Sequence, residues 1–208
     1  MTAEDTSLRR KAERMAAIGG IARTVQHDIN NLLTVIFANL EMLKRTAAEG
    51  GPQRQLLRVE QAARRFEGTS RAILALIRRP AGEVVAIRLT DLLAAIEPLL
   101  QMILPGSGAC TLARAERDPP VLIERSALEE ALIALAQEIA EAQPRGIALD
   151  LSVADAPEAG EVTIAVPEGL SPPALDRVAA VALAHGGSAT PEGNGLRLSL
   201  PRHEAAAG

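Results

Sequence analysis

Apolar or small side chains recur in alternating steps of three and four along the first part of the chain. They fall at Met15, Ile18, Ala22, Val25, Ile29, Leu32 and Ile36, and Leu40 and Leu43 continue the row after one slip. That period is the seam of a helix packed in a bundle. The stretch "EGGP" at 49–52 interrupts it, with glycines to turn the chain and a proline to restart a helix. A second seam follows at Leu56, Val59, Ala63, Phe66, Ser70, Ile73 and Ile77, and stops before Pro80. The pattern predicts an antiparallel helical hairpin over residues 1–80. A lone hairpin leaves each stripe half covered, so the expectation is a homodimer that closes a four-helix bundle.

The pattern changes over residues 81–208, which read as α/β, with 80–85 as the natural hinge. "IRLTDLLAAIEPLLQMIL" predicts a short strand and then a helix with Thr90 as N-cap. "GACTLARAE" is a short strand candidate. "DPPVLIERSALEEALIALAQEIAEAQP" reads as a turn and a helix capped near Ser126. "GIALDLSVAD" and "GEVTIAVPEG" alternate like paired strands of a hairpin. "SPPALDRVAAVALAHGG" is a helix ended by glycine, "GLRLSLP" a final strand, and "RHEAAAG" a frayed tail.

The first seam locates an unusual cluster, "VQHDINNLLTVI". With Val25 and Ile29 on the packed side, His27 lies on the outer face, with Asn30 and Asn31 one turn further along and Arg23 and Thr24 one turn before. Asp28 flanks it. A core histidine conflicts with the seam. A metal site has no support from spacing, because the other histidines, His185 and His203, are far off in sequence. A solvated surface histidine and a nucleophile both stay open on spacing alone. An exposed neutral imidazole beside a carboxylate has a lone pair available near neutral pH.

Composition narrows the classes. With two Phe and no Trp or Tyr, the chain lacks stacking platforms for single-stranded nucleic acid. A net charge of −4 gives no general attraction to nucleic acid or to an anionic membrane. No apolar run approaches a membrane span, and the charged start lacks the apolar core of a signal peptide. The single cysteine, Cys110, has no internal partner, so a reducing cytoplasm is the expected location.

The stretch "GGIARTVQHDINNLLTVIFANLEML" resembles the phosphoacceptor helix of bacterial sensor histidine kinases whose box reads roughly H-D-x-N-N-L-L. "PPVLIERSALEEALIALAQEIAEA", "VTIAV" and "ALAHGGSA" followed by "LRLSLP" look like successive landmarks of the kinase ATP-binding domain. The resemblance implies a dimeric phosphoacceptor hairpin over 1–80 and a histidine-kinase-like α/β sandwich over 81–208. It also implies His27 as the phosphorylated residue, Asp28 orienting the imidazole or managing its proton, and Asn31 at a position that influences phosphatase activity.

Departures from the family pattern fall at its nucleotide contacts. Aligned on the long helix, the family asparagines become Ala134 and Glu138, of which the carboxylate could still hold Mg²⁺. Pro167 stands where the family has the aspartate that reads adenine, and Gly169 is the only glycine left of that motif. No room remains for a lid, and a P-loop pattern is absent. The two glycines of "EGNGLRL" read as hairpin chemistry. This combination resembles the histidine phosphotransferases of the ChpT type, which shuttle phosphoryl groups between receiver domains of response regulators. It implies a degenerate ATP-binding domain, no tightly bound cofactor, ATP not expected as a ligand, and Mg²⁺ carried by the partner receiver. The alternatives are a divergent ATP-dependent sensor histidine kinase and a non-enzymatic pseudokinase scaffold.

Overall fold

The computed structural model of the chain describes residues 3–47, 49–104, 110–142 and 149–204, with the backbone alone at 3–21, 23 and 24. Two compact units result, Met1–Arg79 and Pro80–Gly208.

The first unit is a hairpin of α1 (Ala3–Thr46) and α2 (Gly51–Arg78). Gly50 takes φ 102° in the turn, a left-handed-side conformation that suits glycine, and Pro52 stands in the first turn of α2, where its missing N–H costs nothing. The helices run antiparallel. Lys44 pairs with Glu60, which also accepts a hydrogen bond from Arg64 Nη2 at 2.8 Å. Two turns back on α1, the Phe37 ring lies under the same Arg64 guanidinium, whose carbon is 5.1 Å from the ring centre.

The seam needs a correction in its facing. Leu33 and Leu40 are buried, while Leu32, Ile36, Leu43, Val59 and Phe66 are exposed. Successive helical residues are about 100° apart, so Leu33 lies one step around from Leu32. The apolar arc of α1 is wide enough for two contacts, and the hairpin uses the one centred on Leu33 and Leu40. Met15 and Ile18 belong to the side chains outside the described set.

The second unit opens with β1 (Val84–Arg88), which pairs antiparallel with β3 (Pro120–Glu124). Its main sheet has the order β2-β4-β5-β7-β6, with β2 (Cys110–Ala113), β4 (Leu149–Val153), β5 (Ala159–Ala165), β6 (Ser188–Glu192) and β7 (Gly195–Pro201). The β2–β4 pair is parallel and the others antiparallel. Helices α3 (Leu89–Ile103), α4 (Arg125–Glu141) and α5 (Ala174–Ala184) complete the unit. Burial alternates strictly along β4 and β5, so one sheet face is covered and the other open. Leu151, Val162, Ile164 and Leu198 from the sheet share one core with Ile96 and Leu100 of α3, Leu132 and Leu135 of α4 and Val178 of α5. The open face is polar, and Arg197 there forms two hydrogen bonds to Glu192, each 2.6 Å. In "EGNGLRL", Gly193 (φ 54°) makes the β6–β7 turn, and Gly195 is required by β5: a Cβ there would meet the Ile164 carbonyl oxygen at 1.8 Å.

Three local expectations change, and one strand appears where none was expected. Strand β3 occupies "PVLIE", where the sequence suggested only a turn before a helix; its alternation is hidden in three adjacent apolar residues. Strand β6, "SATPE", has no apolar pattern because it is an edge strand held by β7 alone. Thr90 is not an N-cap. It lies inside α3, and its N–H donates to Asp118 Oδ2 at 2.9 Å from a remote loop. Ser126 is likewise inside α4, with Glu124 at the cap position and no side-chain cap bond. Of the tail, Arg202 bridges to Val121 and the His203 N–H bonds Pro120 at 2.7 Å. Residues 205–208 lie outside the described residues.

Candidate functional site

His27 lies in the middle of α1, which holds no proline and continues through Gly19 and Gly20 two turns earlier. Its side chain is 75% exposed and that of Asp28 71% exposed. Helical spacing brings residues four apart onto one face. Accordingly the Asn31 Nδ2 amide stands 3.1 Å from His27 Nδ1. Asp28 is one residue on, about 100° around, and its Oδ1 reaches only to 3.6 Å of the same nitrogen, an ion-pair distance rather than a hydrogen bond. Among the described residues no group bonds Nε2, which faces solvent. Asn30 is turned away, accepting from Gln26 Nε2 at 3.1 Å, and its carbonyl accepts from the Thr34 hydroxyl at 2.8 Å. The side chains of Arg23 and Thr24, named above as neighbours, lie outside the described residues.

The other histidines are structural. His185, at the end of α5, accepts the Glu124 N–H at Nε2 (3.0 Å) and has Nδ1 2.8 Å from the Val181 carbonyl, a pair of bonds that a single neutral tautomer satisfies. His203 engages through its backbone. Among the described residues, no three His, Cys, Asp or Glu side chains form a group that could hold a metal ion. No described helix is long and apolar enough to cross a membrane.

The second candidate region is the end of β5. The chain leaves the sheet at Ala165, turns through Pro167 and Gly169 (φ 80°), and enters α5 at Ala174. The Pro167 carbonyl accepts the Leu170 N–H at 3.2 Å, closing this turn on itself. Glu138 of α4 is engaged here. Its Oε2 accepts the Ala174 N–H at 2.8 Å, and its Oε1 pairs with Arg177. A carboxylate at the first N–H of a helix satisfies an orphan donor and complements the helix dipole. Spacing could not reveal this contact, because the partners are 36 and 39 residues from Glu138. The group therefore already has two partners, and a metal would compete with both.

No family model matches the chain. Over 150 residues, 72% of its length, the chain is 26% identical to the sensor kinase CckA of Brucella abortus (strain 2308). That stretch spans 16% of the kinase, so the chain corresponds to a small part of that relative. Among solved structures, the ATP-binding domain of PrrB from Mycobacterium tuberculosis is similar with 25% identity and a TM-score of 0.43, covering 59% of this chain and 99% of that domain. The histidine kinase ThkA, solved in complex with the response regulator TrrA, is similar with 17% identity and a TM-score of 0.40, covering 96% of this chain and 66% of that one.

Proposed function

We propose that the chain is a histidine phosphotransferase, carrying phosphoryl groups between receiver domains of response regulators through phosphohistidine at His27. The exposed imidazole carries this reading, with Nδ1 held by a neighbour on its own helix and Nε2 open to solvent. With the ring proton on Nδ1, the Nε2 lone pair attacks the phosphorus of a receiver's aspartyl phosphate. The P–O bond breaks, and its electron pair leaves on the carboxylate oxygen. In the return step an acceptor carboxylate attacks phosphorus, and the N–P pair goes back to Nε2. Asp28 is close enough to stabilise the positive charge that develops on the ring. Mg²⁺ arrives with the receiver, and the chain works in the cytoplasm.

The exposed apolar row, Val25, Leu32, Ile36 and Leu43 on α1 with Val59, Phe66 and Ile73 on α2, supports a homodimer through the hairpin. Phe66→Asp would bury an unpaired charge in that bundle. Sedimentation at micromolar concentration should give a dimer for the parent and a monomer for the variant.

Three features support the absence of ATP chemistry. Glu138 is engaged by α5, Pro167 offers no side-chain acceptor for adenine, and only residues 166–173 separate β5 from α5. The sensor-kinase relative favours a second reading, a divergent ATP-dependent kinase. Incubation with radiolabelled ATP and Mg²⁺, and separately with a labelled phosphoreceiver, separates the two. Label from the receiver alone, lost in His27→Ala, is the expected result. Label from ATP makes the chain a kinase, and no label from either source refutes both readings.

A further inference from the structure

Charge is divided unevenly between the two units. Residues 1–79 carry 14 Lys and Arg against 8 Asp and Glu, and residues 80–208 carry 8 against 18. On α2 the basic excess falls in one row. Arg54, Arg58 and Arg65 are exposed and recur at spacings of four and seven, about half a turn round the helix from the half-buried Leu56 and Ala63. None of the three has an Asp or Glu three or four positions away, and among the described residues none forms an ion pair. The other arginines of α2 are engaged. Arg64 pairs with Glu60 at 2.8 Å, Arg71 pairs with Glu67 at 2.7 Å, and Arg78 Nε donates to the Leu74 carbonyl at 3.2 Å. Arg54 and Arg58, one turn apart, are a like-charge pair that weakens the helix by itself.

Beside this row lies an open apolar cavity of about 360 Å³, between Leu43 and Ala47 of α1 and Gln55, Leu56 and Val59 of α2. Gln55 stands about 60° round the helix from Arg58, so the cavity opens next to the guanidinium row. We infer that the turn half of the hairpin is a docking surface for an acidic, amphipathic helix of a partner protein. Its carboxylates lie along Arg54, Arg58 and Arg65, and one apolar side chain enters the cavity. The surface is separate from the phosphoacceptor and does not rest on the phosphotransfer reading. Arg65 follows Arg64, whose guanidinium lies over Phe37, ten residues or about 15 Å along α1 from His27. A partner seated here leaves the imidazole open to a receiver.

The chemistry selects this occupant. Guanidinium groups take carboxylates in paired hydrogen bonds, and a helix presents carboxylates at the same spacing as the row. The face of the row carries Gln61, Ala62 and Thr69, with no large apolar side chain to enter a bilayer. The acidic excess over residues 80–208 opposes a long polyanion. Leu43 and Val59 also belong to the apolar row offered to the homodimer, so a second copy is the rival occupant of the cavity.

The experiment is fluorescence anisotropy with the full chain and a labelled helical peptide that carries glutamates at the spacing of the row and leucines beside them. The parent should bind it saturably. Arg54→Gln, Arg58→Gln and Arg65→Gln should each weaken binding about threefold, and the triple variant about thirtyfold. Ala47→Phe, which fills the cavity and changes no charge, should weaken it about tenfold. Arg64→Gln removes the same charge from an arginine already paired, and should leave binding unchanged. The triple variant should unfold no lower in temperature than the parent, since a like-charge pair is removed. No saturable binding overturns the inference and leaves the row merely solvated. An equal loss in Arg64→Gln overturns it in favour of diffuse attraction. Binding to the Phe66→Asp variant but not to the parent shows that a second copy covers the cavity. Phosphatidylserine vesicles that bind the parent and not the triple variant, with no peptide binding, make the row a membrane contact instead.

Discussion

Replacing Glu138 separates two accounts of one carboxylate: a helix anchor, or a relic metal ligand. The magnitude follows from its contacts. The Ala174 N–H bond at 2.8 Å is a capping interaction with a charged acceptor, for which loss costs about 1–2 kcal/mol. The Arg177 pair adds about 0.5 kcal/mol, because 56% of the arginine side chain is exposed and water screens it. Glu138→Ala should therefore destabilise the α/β unit by about 2 kcal/mol. Glu138→Gln keeps an oxygen for the Ala174 N–H and should lose less than half of that. With no Trp or Tyr in the chain, far-UV circular dichroism in urea is the suitable assay. The midpoint should fall by about 1 M for the alanine variant at a slope of about 2 kcal/mol/M. Millimolar Mg²⁺ and ATP should leave both midpoints unmoved, since a ligand that binds only the folded state would raise them. An alanine variant within about 0.5 kcal/mol of the parent would refute the anchor. A parent midpoint raised by Mg²⁺ and ATP, with no such rise in the variant, would restore Glu138 as a metal ligand.

Other expectations concern single groups. Asp118 is fully buried as a side chain and receives Arg88 at 2.8 and 3.0 Å as well as the Thr90 N–H. Asp118→Ala should cost about 3 kcal/mol in the same urea assay, with faster amide exchange at Thr90, and a loss below about 1 kcal/mol would contradict the capping role. The Lys44 hydrogen bond, then that of Arg64, hold the Glu60 carboxyl below its usual range. A lowered folded-state value contributes stability that is present above the ordinary carboxyl range and is lost as pH falls through the lowered value. The unfolding temperature of the hairpin should thus fall on acidification below about pH 4.5, and Glu60→Gln should flatten that part of the profile. Burial, with smaller contributions from Glu97 and Asp150, pushes the Cys110 thiol up to about 11. At pH 8 it should react with a disulfide reagent only on unfolding, so labelling at the rate of a free thiol would place Cys110 at the surface.

The sequence by itself determined the elements that repeat a local period. The hairpin of α1 and α2, its turn at Gly50, the alternating β4 and β5, and the glycine after α5 all follow from contacts within a few residues along the chain. The neighbourhood of His27 was legible for the same reason, since Asn31 reaches it through one helical turn. The order of approach was not. Asp28 is adjacent in sequence, yet helix geometry carries it around the barrel while Asn31 comes to the ring.

Tertiary structure decided whatever depends on distant partners. Thr90 looked like a cap, and Asp118 performs that role across 28 positions. Glu138 looked like a possible metal ligand, and the N-terminus of α5 engages it instead. Strand β6 exists because β7 offers it a ladder, although "SATPE" alone has no strand pattern. Which part of the apolar arc the hairpin buries was equally a matter of packing: either row could have faced α2, and the pairing that joins Lys44, Glu60, Arg64 and Phe37 selected the row of Leu33 and Leu40. Local periodicity specifies that a side chain needs a partner, and only the folded chain supplies which one.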